Sequence, residues 1–227
     1  MKAFYINEMK FNTTNKEEEI IIKHAPAMRI KNYETYAEFA HSAISFGVKS
    51  KDLDKKVYVT ISESGEQNRL GIDDVFEIYN VNVFTRTDGI CILDTKREIF
   101  KALNAQIQTN TEIKKYLSFS MKNYKLEEII VKKSLAASGV WFSGSGMKKL
   151  GLKAEAIFSD NVISSDDYKR NLRIGGTISI VMFKITVDEV EYTVGITEIG
   201  GIILYSEPDT LEKQLKLVEY IYDNILK

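Results

Sequence analysis

Cysteine occurs once in the 227 residues, tryptophan once, and proline and histidine twice each. A single Cys91 cannot close an internal disulfide, which suits a reducing compartment. It sits in the apolar run Ile90-Cys91-Ile92-Leu93, so a buried, inert thiol is expected. A tetrahedral zinc site needs about four N, S or O ligands, and His24, His41 and Cys91 supply no close pair. Neither a metal nor a cofactor is therefore expected. A Cys–His nucleophile would have to join Cys91 to a histidine across the fold, from surroundings that make a poor thiolate. With only Pro26 and Pro208 present, long disordered linkers are disfavoured. No apolar run approaches the roughly 20 residues that span a bilayer, and Met1 to Lys10 is too short and polar for a signal peptide. These absences point to a soluble cytoplasmic chain with no membrane partner.

Apolar residues make up 44% and charged residues 28%, close to a soluble globular average. The strongest local signal is at the end. Thr177 to Val187 reads as strand, Asp188-Glu189 interrupts, Val190 to Ile199 resumes, Gly200-Gly201 interrupts, and Ile202 to Tyr205 closes a three-strand meander. Asp209 and Glu212 then have capping-box spacing. Leu211, Leu215, Val218, Tyr222 and Ile225 form a continuous helical stripe.

Upstream, Lys2 to Ile6 and Glu19 to Lys23 read as strands, with a turn at Asn12-Thr13-Thr14-Asn15 and a stop at Pro26. Asn32 can cap a helix to about Phe46, ended by Gly47. Val57 to Ile61 alternates as a strand, and Ser62 to Arg69 reads as loop. Val75 to Arg86 and Ile90 to Leu93 flank Asp88-Gly89, a hairpin signal. Thr95 with Glu98, and Thr109 with Glu112, have capping-box spacing for two helices, the second to about Met121. Leu126 to Ala137 reads as helix stopped near Ser138-Gly139, although Ile129-Ile130-Val131 favours a strand. Leu152 to Phe158 reads as strand, and Ser165 can cap Asp166 to Leu172. The expectation is an α+β fold with antiparallel sheet, a C-terminal three-strand meander and a packed amphipathic helix. A strand-rich region 1–94 and a helix-then-sheet region 95–227 could form two lobes of one unit.

Charge is uneven. Residues 1–113 hold 15 basic and 17 acidic side chains, residues 114–173 hold 12 and 6, and residues 174–227 hold 4 and 9. The basic middle could pair with acids inside the fold or present a face to an anionic partner. Three motifs carry possible chemistry. Asp94 with Lys96, Arg97 and Glu98 is a weak candidate for carboxylate metal chemistry, set against acids placed at a helix start. Glu112-Ile113-Lys114 has the acid-x-lysine form without an acid partner, and Asp73-Asp74 and Asp166-Asp167 fit turns or helix starts. Gly139 to Lys149, with Gly144, Gly146, Lys148 and Lys149, could bring backbone N–H groups to phosphate, but its spacing matches no nucleotide-binding pattern.

The leading expectation is a non-catalytic binding protein that meets an anionic partner, most plausibly nucleic acid. Lys122, Lys125, Lys132, Lys133, Lys148, Lys149, Lys169, Arg170 and Arg173 would supply the phosphate contacts. The alternative is a protein-interaction or assembly subunit, binding a protein partner or its own copy through the apolar C-terminal helix or an open sheet edge. A metal-dependent phosphodiesterase or nuclease stands third.

Overall fold

The structure is a computed structural model. It describes residues 1–11, 19–22, 28–49, 59–61, 67–69, 76–120, 122–149 and 151–227. The turn expected at 12–15, His24, Pro26 and Asp73-Asp74 lie outside them.

The fold is α+β, built on one open, antiparallel sheet of twelve strands. In chain order these are β1 (Lys2–Phe11), β2 (Glu19–Ile22), β3 (Met28–Asn32), β4 (Ala40–Lys49), β7 (Phe76–Thr85), β8 (Ile90–Asp94), β9 (Leu117–Ser120), β10 (Ala137–Ser143), β11 (Glu155–Phe158), β12 (Thr177–Val187), β13 (Val190–Thr197) and β14 (Gly201–Leu204). A separate hairpin joins β5 (Val59–Ile61) to β6 (Gln67–Arg69). The main order is β11-β10-β12-β13-β14-β1-β8-β7-β4-β3-β2, with β9 also pairing β1. The N-terminal strand is thus seated mid-sheet, Phe4 opposite both Ile202 of β14 and Asp94 of β8.

β1 is buried on both faces because both of its alternating sets are apolar. Phe4 and Ile6 enter one core with Val194, Ile196, Ile202 and Leu204. That core is closed by α3 (Leu126–Lys132), α4 (Ser145–Lys149), α5 (Asp166–Arg173) and α6 (Leu211–Ile221). Tyr5 and Met9 enter a second core with Ile44, Phe46, Val81 and Val83, closed by α1 (Arg97–Thr109) and α2 (Thr111–Tyr116). The helices therefore cover one face of the β1-to-β11 half and the opposite face of the β1-to-β2 half. Asn7, buried on β1 where its neighbour changes from β14 to β9, has no hydrogen-bond partner for its amide among the described residues.

The C-terminal meander forms as its turn signals require. Asp188 and Glu189 both take positive φ, 49° and 66°, and join β12 to β13 in a two-residue turn. Primed turns of this kind match strand twist. Gly200 does the same work between β13 and β14 at φ 75°. The helix after it packs its stripe through Leu215, Val218, Tyr222 and Ile225, the last two on a π-helical turn.

Several local expectations fail. Residues 32–46 are not a helix but the β3–β4 hairpin, with Ile44 and Phe46 inward and Asn32 accepting from the Ser42 hydroxyl at 2.9 Å. Period-2 burial in a sheet overrides the apparent helical stripe. The second helix stops at Tyr116, and Leu117–Ser120 turns into β9 against β1. Helix α3 ends at Lys132, with Ser134 in the left-handed region at φ 49°, so Ala137 and Gly139 belong to β10. Residues 67–69, expected in a loop, are strand β6. None of the three capping boxes forms: the N-caps are Lys96, without a side-chain bond, Asn110, which accepts from the N–H groups of Glu112 and Ile113, and Thr210, which accepts from that of Lys213. Ser165 caps α5 as expected.

Ionic contacts tie the two halves, among them Arg97 of α1 with Glu198 after β13 at 3.4 Å. Arg86, at the β7–β8 turn, reaches Asp88 (3.1 Å), Glu219 (3.2 Å) and Asp223 (2.8 Å) at the end of the C-terminal helix. Burial raises the Glu219 carboxyl above its ordinary range, with Arg86 pulling the other way.

Burial also pushes Tyr5 up to about 12, against the nearby Arg97 that lowers it, and pushes Tyr124 up to about 12. Both phenols keep their protons in the folded state after an unfolded tyrosine, at about 10, has lost its own. Their contribution is complete below pH ~10 and is lost as pH rises towards ~12. Urea midpoints should therefore fall across that window, and both tyrosines should stay dark in a difference-absorbance titration until unfolding begins. Ionisation of all twelve tyrosines at the ordinary pH, with the fold intact, would contradict this.

Candidate functional site

The face of the β1-to-β11 half on which no helix lies among the described residues is built from the alternate positions of its strands. Cross-strand register aligns Phe158, Gly139, Met182, Gly195, Ile203 and Ala3 in one row across β11, β10, β12, β13, β14 and β1. The next row holds Ala156, Trp141, Ile180 and Thr197. Phe158, Trp141, Met182, Ile180, Ile203 and Tyr205 belong to neither core. Phe158 is 58% exposed, and its ring meets Trp141 edge-on at 5.0 Å.

Two glycines shape this surface. A Cβ on Gly139 would lie 3.0 Å from the Phe158 ring, and one on Gly195 would lie 3.0 Å from the Tyr205 ring. The aromatic rings lie down over glycine and keep the face low. Two bulged serines hold the register: Ser138 donates to the Met182 carbonyl at 3.4 Å and Ser179 to the Trp141 carbonyl at 3.2 Å. Beside the apolar rows, Lys184 and Glu191 form an exposed ion pair at 2.8 Å.

The uncovered face of the other half has ordinary chemistry. Arg29 and Lys31 on β3, His41 and Ser45 on β4, and Asn80 and Asn82 on β7 share it, with Ile21 and Ile78 as its exposed aliphatics. His41 is stacked between Tyr33 and Phe84 at 4.9 and 4.8 Å and contacts Asn82 at 3.3 Å. A solvated antiparallel face is normally polar in this way. The aromatic face of the C-terminal half departs from that rule.

The basic segment is dispersed over short helices on the other side of the same half. Lys122 pairs with Glu8, Lys125 with Glu128, and Arg170 with both Glu155 and Asp167. Lys169 donates to the Ser164 carbonyl. Lys132 closes α3, and Arg170 and Arg173 close α5, each placed to offset a helix C-terminus. Lys132, Lys133, Lys148 and Arg173 carry no acid partner among the described residues. Lys149 ends α4, and its side chain lies outside the description.

The glycine-rich stretch is not an open loop: Ser145–Lys149 form α4 directly after β10, and packing occupies it. A Cβ on Gly146 would come within 2.6 Å of the backbone at Ile174, Gly175 and Gly176. Two glycine segments therefore lie backbone against backbone. Asp94 is held by Lys2 at 3.0 Å, and Glu98 lies in the first turn of α1. Among the described residues no group of three or more His, Cys, Asp or Glu side chains could hold a metal ion. Cys91 is buried, and that burial raises its thiol above the ordinary range. No helix among the described residues is long and apolar enough to cross a membrane.

The aromatic face was missed at the sequence level, although its signal was present. Gly139 to Phe142 and Ile178 to Phe183 are apolar at both alternations, which marks strands with two apolar faces. No protein-family model matches this chain, and no curated protein is similar to it.

Proposed function

We propose that this chain is a non-catalytic protein-interaction or assembly subunit that engages its partner through the aromatic face of β10–β14. The observation that carries this reading is the row from Phe158 to Ile203, with Trp141, Ile180 and Tyr205 beside it, on the stretch of the sheet that no helix covers among the described residues. Phe158 stands exposed and Trp141, Ile180, Met182, Ile203 and Tyr205 are half-buried around it, and clustered apolar side chains rimmed by polar residues mark contact sites. The C-terminal helix, the other apolar element, spends its stripe on the core. At sub-micromolar chain, an apolar dye such as ANS should bind the native fold. Phe158→Asp with Met182→Asp should abolish that binding with the circular dichroism unchanged. Native protein that ignores the dye would remove this reading.

A second reading keeps the anionic partner. Its support is the set of cations without acid partners, Lys132, Lys133, Lys148 and Arg173. Nucleic-acid binding through them would fall steeply with salt, by about 0.9 log units per contact for each log unit of salt on duplex DNA. Undetectable binding of labelled DNA and RNA at ~50 mM salt would end it.

A further inference from the structure

We infer that the occupant of the aromatic face is a second copy of this chain, an inference that rests on the interaction reading above. The first argument is charge. Lys184 and Glu191, on adjacent strands at the rim, carry opposite charges. A twofold axis through the face sets Lys184 of one copy against Glu191 of the other, twice over, since an isologous contact pairs i with j and j with i. Beyond this rim, where Asp160 also lies within electrostatic reach of Lys184, the large side chains of the two rows are apolar. The chain's net charge of −1 puts little repulsion between copies.

The second argument is shape. Among the described residues, helices α1 and α2 cover this same side of the sheet over the N-terminal half alone, so the aromatic face is a terrace beside a helical step. A copy turned about the twofold lays its own terrace on the first, with its step on the far side. Two sheets then face each other at about 10 Å, the spacing at which inner side chains interdigitate. Phe158, Trp141, Met182, Ile180 and Ile203 become the middle of a two-chain sandwich. The rings lying over Gly139 and Gly195 keep both surfaces low enough to approach.

The test uses the full chain and its only tryptophan, which lies in the contact. Sedimentation from about 1 to about 100 μM, spanning Kd values of that range, should show a dimer forming, with a concentration-dependent blue shift of Trp141 emission. Trp141→Arg should weaken association at least ~10-fold, a change of about 1.4 kcal/mol, with the circular dichroism unchanged. Lys184→Glu and Glu191→Lys should each weaken it. Mixed in equal amounts, these two variants should dimerise with each other, because both cross-copy pairs are then of opposite sign. A dimer indifferent to Trp141→Arg, or single charge variants whose mixture stays monomeric, would overturn the inference. A chain monomeric throughout would also overturn it, and the dye separates the causes. If the monomer binds ANS through this face, the partner is another protein and the interaction reading survives. If it does not, both fall.

Discussion

Leu215→Ala should destabilise the protein by about 3–5 kcal/mol, near the top of the range for emptying a core leucine site. Leu215 is completely buried on α6 and shares a core with Phe4, Ile6, Ile202 and Leu204 from the two central strands. Those strands are held by backbone pairing on both sides, so they cannot close onto the lost volume, and the cost follows the cavity left behind. Lys216→Ala, next along the same helix but exposed, should change stability by less than about 1 kcal/mol, since it removes only a surface pair to Glu212 at 2.9 Å. Urea unfolding of both variants decides the matter. Equal effects would show that the helix is not packed as described.

Gly146→Ala is the second large effect, and it separates packing from phosphate binding at the glycine-rich start of α4. The new methyl carbon would sit 2.6 Å from three backbone atoms at Ile174, Gly175 and Gly176. Backbone cannot rotate aside as a side chain can, so the two segments must part. Their separation would loosen Met147 and Phe142, which are buried beside them. Overpacking of this sort costs typically 1–3 kcal/mol and occasionally more; a loss of at least about 2 kcal/mol is expected here. Lys148→Ala should be silent by comparison. A loop kept open for an anion would give the reverse: intact stability in Gly146→Ala, with binding lost.

The legibility of the sequence varied with how local the determining physics was. The β12–β14 meander and the helix behind it were readable because their turns need special φ values and the helical stripe repeats over three turns. The 32–46 hairpin was misread because small residues at Ala40 and Ala43 imitate a helical face, while Ile44 and Phe46 face a core that only distant strands create. Capping boxes failed for a related reason: the spacing Thr-x-x-Glu is common, and chain entry decides which residue becomes the cap. The charge excess in 114–173 was real, but cations closing short helices explain much of it. The aromatic face required knowing that the described helices close one side of this half of the sheet. That is a property of topology, invisible in any window of neighbouring residues.

The seating of β1 sets the order in which this protein can be made. Lys2 to Tyr5 are held, on one side, by Gly201 to Leu204, roughly 200 residues further along the chain. Until then one edge of the strand is unsatisfied, and the pairing that completes it spans roughly 200 residues. Contacts of such long separation are slow to form. This sheet is therefore completed only once β14 has been made, and chains stopped short of Gly201 should remain sensitive to protease while chains that include β14 become resistant.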